Sequence, residues 1–118
     1  MTFDFETFAN ITGRVYPSTA EYSLHDVLTV FEYYFHAYEE YMGKPHPNIR
    51  IGQIRKIIEE MPIAYMPDHP EELFNLDPED YPPIIDKHFS TEYKGCDFNI
   101  NHFFSGKVRM MRFFELSV

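Results

Sequence analysis

The hydrophobic pattern is clearest over residues 23–42, where apolar and polar positions separate at a period of 3.6 residues. On a helical wheel Leu24, Val27, Phe31, Tyr34, Phe35, Tyr38, Tyr41 and Met42 share one broad face. His25, Thr29, Glu32, His36, Glu39 and Glu40 take the other. Ser23 with Asp26 three residues on resembles a capping box, and Gly43 followed by Pro45 marks the stop. So wide an apolar arc predicts a central helix touched by several others. A second helix is predicted over about 48–60, with Ile51, Ile54, Ile57, Ile58 and Met61 inward and Pro62 ending it. The short 43–47 connection predicts an antiparallel or steeply crossed helical hairpin.

The flanks are less regular. Phe3 and Phe5 alternate with polar residues, while Asn10, Gly13 and Pro17 interrupt any long helix. Residues 1–22 are therefore expected to form an irregular or β N-terminal arm, with a short strand or a helical turn, ahead of a helical domain, 23–118. Residues 62–83 hold six of the nine prolines. Two stretches there, Asp68-His69-Pro70-Glu71-Glu72 and Asp77-Pro78-Glu79-Asp80, have the N-cap, proline and acids of a helix start. The first predicts a turn or two through Phe74; the second leads into a helix over about 82–89 with Ile85 and Phe89 inward. The segment 96–104 alternates as a strand would, with Ser105-Gly106 as a hairpin turn. The competing pattern makes Asn99 or Asn101 the cap of a short helix, followed by a last helix over 107–116. Its wheel groups Arg109, Arg112 and Glu115 opposite Met110, Met111, Phe113 and Phe114, whereas a strand would mix both kinds on both faces. Helix is favoured. The expected fold class is mainly α, a small single-domain helical bundle.

Composition narrows the class. A chain of 118 residues suits one domain. Its 12 Phe and 9 Tyr argue against disorder despite a net charge of −9. Cys96 is alone and has no internal disulfide partner, which points to a reducing compartment. The opening residues lack the features of a signal peptide, and no run nears the ~20 apolar residues that span a bilayer. A soluble cytoplasmic protein is expected. The aromatic surplus leaves room for a homodimer face.

Charge falls into blocks. Residues 1–43 carry seven acids and one base, 44–56 four bases and no acid, and 57–86 nine acids and no base. Arg55–Glu59 and Lys56–Glu60 stand four apart and are expected to pair, which strips the second helix of most free positive charge. Runs of acid most often solvate a surface. The functional alternative is a partner-binding ridge of Glu59, Glu60, Asp68, Glu71, Glu72, Asp77, Glu79, Asp80 and Asp86, interleaved with Tyr65, Phe74 and Tyr81 as anchors. Such a ridge suits a basic partner, one that handles nucleic acid.

Catalytic signatures are missing: no H-E-x-x-H, C-x-x-C, phosphate loop or nucleophile elbow occurs. Glu32, His36 and Glu40 lie at i, i+4 and i+8, a spacing that suits a divalent ion but is common on helices. No metal or cofactor is expected. His88 is expected to pack half-buried near Ile84, and Cys96 to be a buried structural thiol. Lys107, Arg109 and Arg112 form the best basic cluster, either a helix C-terminus favouring cations or a contact for phosphate or an acidic partner.

The segment 96–109 (CDFNINHFFSGKVR), continuing to Arg112-Phe113-Phe114-Glu115, and the turn Gly43-Lys44-Pro45-His46-Pro47 resemble small uncharacterised helical proteins of bacterial phages and integrative mobile elements. The resemblance covers about the last two thirds of the chain and carries no assigned activity. It implies a context: small acidic accessory proteins that bind a host protein, anti-CRISPR inhibitors among them. The leading expectation is thus a non-enzymatic, protein-binding inhibitor or modulator of a nucleic-acid-handling host protein. Two alternatives are a helix-turn-helix-like DNA-binding regulator using Arg50, Arg55, Lys56, Lys107, Arg109 and Arg112, and a metal-assisted enzyme around Glu32, His36 and Glu40.

Overall fold

A computed structural model describes residues 4–66, 69–90, 96–105 and 108–116. Among these residues six helices surround one core, and a two-stranded antiparallel hairpin projects from between the third and fourth. The fold is mainly α.

The first helix, α1 (Phe5–Val15), occupies the segment expected to be an arm. Asp4 caps it, its carboxylate accepting from the Glu6 amide and the Thr7 hydroxyl. Asn10 and Gly13 lie on its exposed side, where they cost propensity but no packing, and Pro17 falls beyond its end. Tyr16, just before that proline, is extended as such a residue prefers. Phe8 meets Phe31 and Phe35 edge-on at 4.9 and 5.0 Å, so α1 belongs to the core. Phe3, part of the strand expectation, lies outside the described residues.

The central helix follows its sequence pattern, except that Tyr41 of the apolar face is 45% exposed. α2 (Leu24–Met42) is capped by Ser23, whose hydroxyl accepts from the Asp26 amide. Val27, Phe31, Tyr34, Phe35 and Tyr38 are buried, with Val30 beside them. Gly43 ends it at φ 72°, donating its amide to Glu39 O. A side chain there would meet open space, so the whole cost of Gly43→Ala is conformational. It should lower stability by about 1 kcal/mol, read from the urea midpoint; no change would mean the turn relaxes freely.

α3 (Ile51–Glu60) starts three residues later than expected. Ile54, Ile57 and Ile58 are buried, but Ile51, placed inward by the wheel, is 58% exposed in the first turn. Of the two expected helical ion pairs, Arg55–Glu59 forms at 3.5 Å; no Lys56–Glu60 pair occurs among the described residues.

The stretch expected to begin a short helix at Asp68 instead forms the hairpin β1 (Ile63–Met66) and β2 (His69–Asn75). Ile63 pairs with Asn75, Ala64 with Phe74 and Tyr65 with Leu73, after which the register breaks before Met66 pairs with His69. Residues 70–72 take up that irregularity. Pro70 has no N–H to give a ladder, so a bulge beside it is where a strand tolerates it. Alternation of Ala64 (inward) and Tyr65 (outward) over so few residues left little trace in the sequence.

Asp77-Pro78-Glu79-Asp80 does start a helix. Asp77 and Asp80 form a reciprocal capping box on a 3-10 turn, Pro78–Asp80, that runs into α4 (Tyr81–Ser90). α4 packs most extensively on α2, burying Ile84, Ile85, His88 and Phe89. In the tail the helical alternative holds. Asn99 caps α5 (Ile100–Phe103), and α6 (Val108–Glu115) follows. Phe98 precedes them at φ 60°, a strained value for a bulky residue. Burial against Phe89, and a hydrogen bond from Tyr34 Oη to its carbonyl, hold it there.

Candidate functional site

Among the described residues, the hairpin and the outer side of α6 each expose large apolar side chains. Both trace to one residue, Arg109. The wheel of α6 sets the arginines opposite four apolar residues; the structure buries the arginines together with Met110 and leaves only part of the apolar set inside. Arg109 and Arg112 are 2% and 5% exposed, while Met111 and Phe114, expected inside, are 45% and 39% exposed. Lys107, the third member of that basic cluster, lies outside the described residues.

The reversal follows from where acceptors lie. The C-terminal end of α3 and the start of β1 present backbone carbonyls that the helix itself cannot satisfy. Arg109 Nη1 donates to Glu60 O at 2.7 Å, to Ile63 O at 2.8 Å and to the Tyr81 hydroxyl at 3.0 Å. Its guanidinium also stands over the Phe104 ring, 4.8 Å from the centroid. Tyr81 in turn donates to Met61 O, the next carbonyl of the same helix end. Tyr22 donates to Leu76 O, and the Leu76 amide to Pro62 O. These bonds fix both ends of the hairpin from beneath. Burial pushes the Tyr81 hydroxyl up to about 12 although Arg109 pulls it down, and pushes Tyr22 up as well, so both remain donors.

The braced hairpin has two unlike faces. Phe74 packs inward on Phe113, ring centroids 5.5 Å apart. Tyr65 and Leu73, opposite one another on the ladder, are 41% and 57% exposed. Glu71 and Glu72 are exposed, with His69 Nδ1 3.5 Å from Glu71. The result is an exposed apolar pair set among carboxylates. The sequence does not announce Leu73, because a lone leucine between Glu72 and Phe74 carries no periodic signal.

The remaining expected ridge is only partly assembled. Glu59 is exposed and tied to Arg55, Glu60 is half-buried, and Asp77 and Asp80 are occupied in capping, with Glu79 exposed beside them. Tyr81, expected as an exposed anchor, is fully buried because its hydroxyl serves the hairpin base. Asp68 lies outside the described residues. The DNA-reading set loses Arg109 and Arg112 to the interior, which leaves Arg50, Arg55 and Lys56 exposed.

The metal-spaced residues do not converge. His36 Nδ1 is 3.7 Å from Glu40, both well exposed, but Glu32 does not complete a three-donor group with them. Among the described residues, His69, Glu71 and Glu72 are the one group with three donor atoms within 4.8 Å of each other, and all three are exposed. No helix among the described residues is long and apolar enough to cross a membrane. Comparison of the chain with protein-family models, curated proteins and solved structures finds no significant match.

Proposed function

We propose that this chain is a non-enzymatic binding protein that modulates a nucleic-acid-handling host protein, docking on that protein's basic surface through the hairpin. The observation that carries the reading is the exposed Tyr65–Leu73 pair, next to Glu71 and Glu72 on a hairpin that Arg109 and Tyr81 brace at its base. Apolar anchors ringed by charge are the usual anatomy of a binding hot spot, and a rigid presenting element loses little entropy on docking. Carboxylates repel phosphate backbones and complement the surfaces that bind them, so the partner's own nucleic-acid site is the natural target.

The test is capture of a partner by the full chain from a bacterial lysate that contains a nuclease-based defence system. The partner should bind duplex DNA, and DNA should compete with the chain for it. Tyr65→Ser with Leu73→Ser should weaken the complex at least ~10-fold while leaving the fold intact, since both side chains face solvent. A captured partner indifferent to DNA, or one equally well bound by the double variant, would remove the reading.

A further inference from the structure

Two adjoining cavities of 590 and 230 Å³ lie on the outer face of α2, sharing Phe5, Glu32 and His36. The larger runs between the start of α1 and α4. Half-buried Phe5, Leu28, Tyr33 and Ala37 give it an apolar floor. Exposed Glu32, Glu40 and Asp86 stand along its sides, and Glu39 extends the acidic edge into the smaller cavity. Among the described residues, no lysine or arginine lines either one. These carboxylates come from the two separate acidic blocks of the sequence and are brought together by the packing of α2 on α4. Tyr33 Oη donates to Asp86 Oδ1 at 2.7 Å, which locks that junction and pushes the phenol up to about 12.

We infer that this groove docks a basic segment of a protein partner. The inference rests on the reading of the chain as a binding protein and adds a second contact face to it. The aliphatic stem of an arginine or lysine lies on Phe5, Leu28, Tyr33 and Ala37, with aromatic faces available to its cationic head. The head reaches the carboxylates, where charge-assisted hydrogen bonds are strongest. Glu32 and Glu40 stand about 12 Å apart along α2 at 1.5 Å per residue, so the segment presents two cations at a similar separation. A second copy of this chain is the wrong occupant, because each copy brings a net charge of −9. Nucleic acid and anionic membrane are repelled for the same reason.

The experiment is an NMR titration of the isotope-labelled full chain with a 12-residue peptide of alternating arginine and leucine, at about 0.15 M salt. The matched glutamate–leucine peptide is the control. Amide shifts should concentrate at 28–40 and around 86. Glu32→Gln, Glu40→Gln and Asp86→Asn together should raise Kd about tenfold, whereas the charge-matched Glu71→Gln, Glu72→Gln and Glu79→Gln should change it less than about threefold. The amide oxygen introduced by Asp86→Asn would still accept from Tyr33, and the shift map of the unaltered protein decides even if the triple variant misfolds. Shifts at 69–75, with loss only in the hairpin variant, overturn the groove and leave the hairpin reading standing. Equal loss in both variants means diffuse attraction and also overturns the groove. Absence of saturable binding at either face overturns both.

Discussion

Replacing Arg109 with alanine is expected to lower the unfolding free energy by about 3–5 kcal/mol, a large part of the ~5–15 kcal/mol typical of a domain. The loss has two sources. Glu60 O and Ile63 O lose the donor that reaches them at 2.7 and 2.8 Å, and a buried acceptor left without one costs about 1–3 kcal/mol. Removing the side chain also opens a cavity beneath Phe104 and Tyr81. An opposing effect limits the total. Among the described residues, Arg109 Nε has no hydrogen-bond partner and no carboxylate pairs with this buried cation. Its desolvation is therefore offset only by carbonyls, a hydroxyl, the Phe104 ring and the negative end of α3. Methionine, which fills the space without the charge, should thus cost less than alanine. Lysine keeps the charge but lacks the planar fork and should fall between wild type and alanine. Urea unfolding gives the free energies. Hydrogen exchange at the Leu76 amide, which closes the hairpin base on Pro62 O, should accelerate before exchange in α2 does. An alanine variant within about 0.5 kcal/mol of wild type would show that the arginine braces nothing.

Arg109 also marks the limit of what the sequence discloses. A helical wheel reports which residues share a face; it does not report which face meets the core. In α2 the ambiguity never arises, because eight apolar residues oppose six polar ones and the polar set has no buried acceptor to satisfy. In α6 both faces have a claim on the interior. The apolar face offers Met111 and Phe114, but the arginine face meets backbone carbonyls at the end of α3 and the start of β1, and those are 46 to 49 residues away in sequence. Nothing local announces them. The caps at Ser23, Gly43, Asp77 and Asn99 were legible because each is a short-range bond between a side chain or amide and its own helix end.

The candidate hairpin site was legible as charge and illegible as shape. Glu71 and Glu72 stand out in any count of acids, and Pro70 after Asp68 and His69 has the look of a helix start. The same proline instead sits where the register breaks, because three residues of β1 pair with the far end of β2 before Met66 pairs with His69, and the irregularity spares the ladder its missing N–H. Tyr81 shows the converse error. An aromatic among acids resembles an exposed anchor, yet its hydroxyl is needed at the hairpin base, so it is part of the support and not of the surface.

Mild acid should destabilise the fold through two buried histidines, one of them dominant. His88 is fully buried, and burial together with the Arg112 charge, and then His102, lowers it from 6.5 to about 3. Its Nδ1 accepts from Arg112 Nε at 3.1 Å, while Phe89, Phe98, Phe103 and Tyr34 surround the ring. His46, 2% exposed, is also lowered, chiefly by burial, against opposing contributions from its bond to Pro47 and from Asp97. Its Nδ1 faces Pro47 O at 2.7 Å and its Nε2 accepts from the Ile100 amide at 3.0 Å. Protonation would set N–H against N–H at the start of α5. Both folded values lie below the unfolded one, so each histidine's contribution is complete above pH 6.5. As pH falls from there, the unfolded chain takes up protons that the folded chain refuses, and stability is lost until the folded rings titrate, near 3 for His88. For His88 the full loss is on the order of 4–5 kcal/mol. Urea midpoints measured from pH 7 to pH 4 should drop steeply, without help from high salt. His88→Asn keeps an acceptor near Nδ1 and His46→Gln keeps one near Nε2, and neither side chain titrates. The double variant should be weaker at pH 7 yet lose far less between pH 7 and pH 4. A drop parallel to that of the wild type would place the acid sensitivity elsewhere in the molecule.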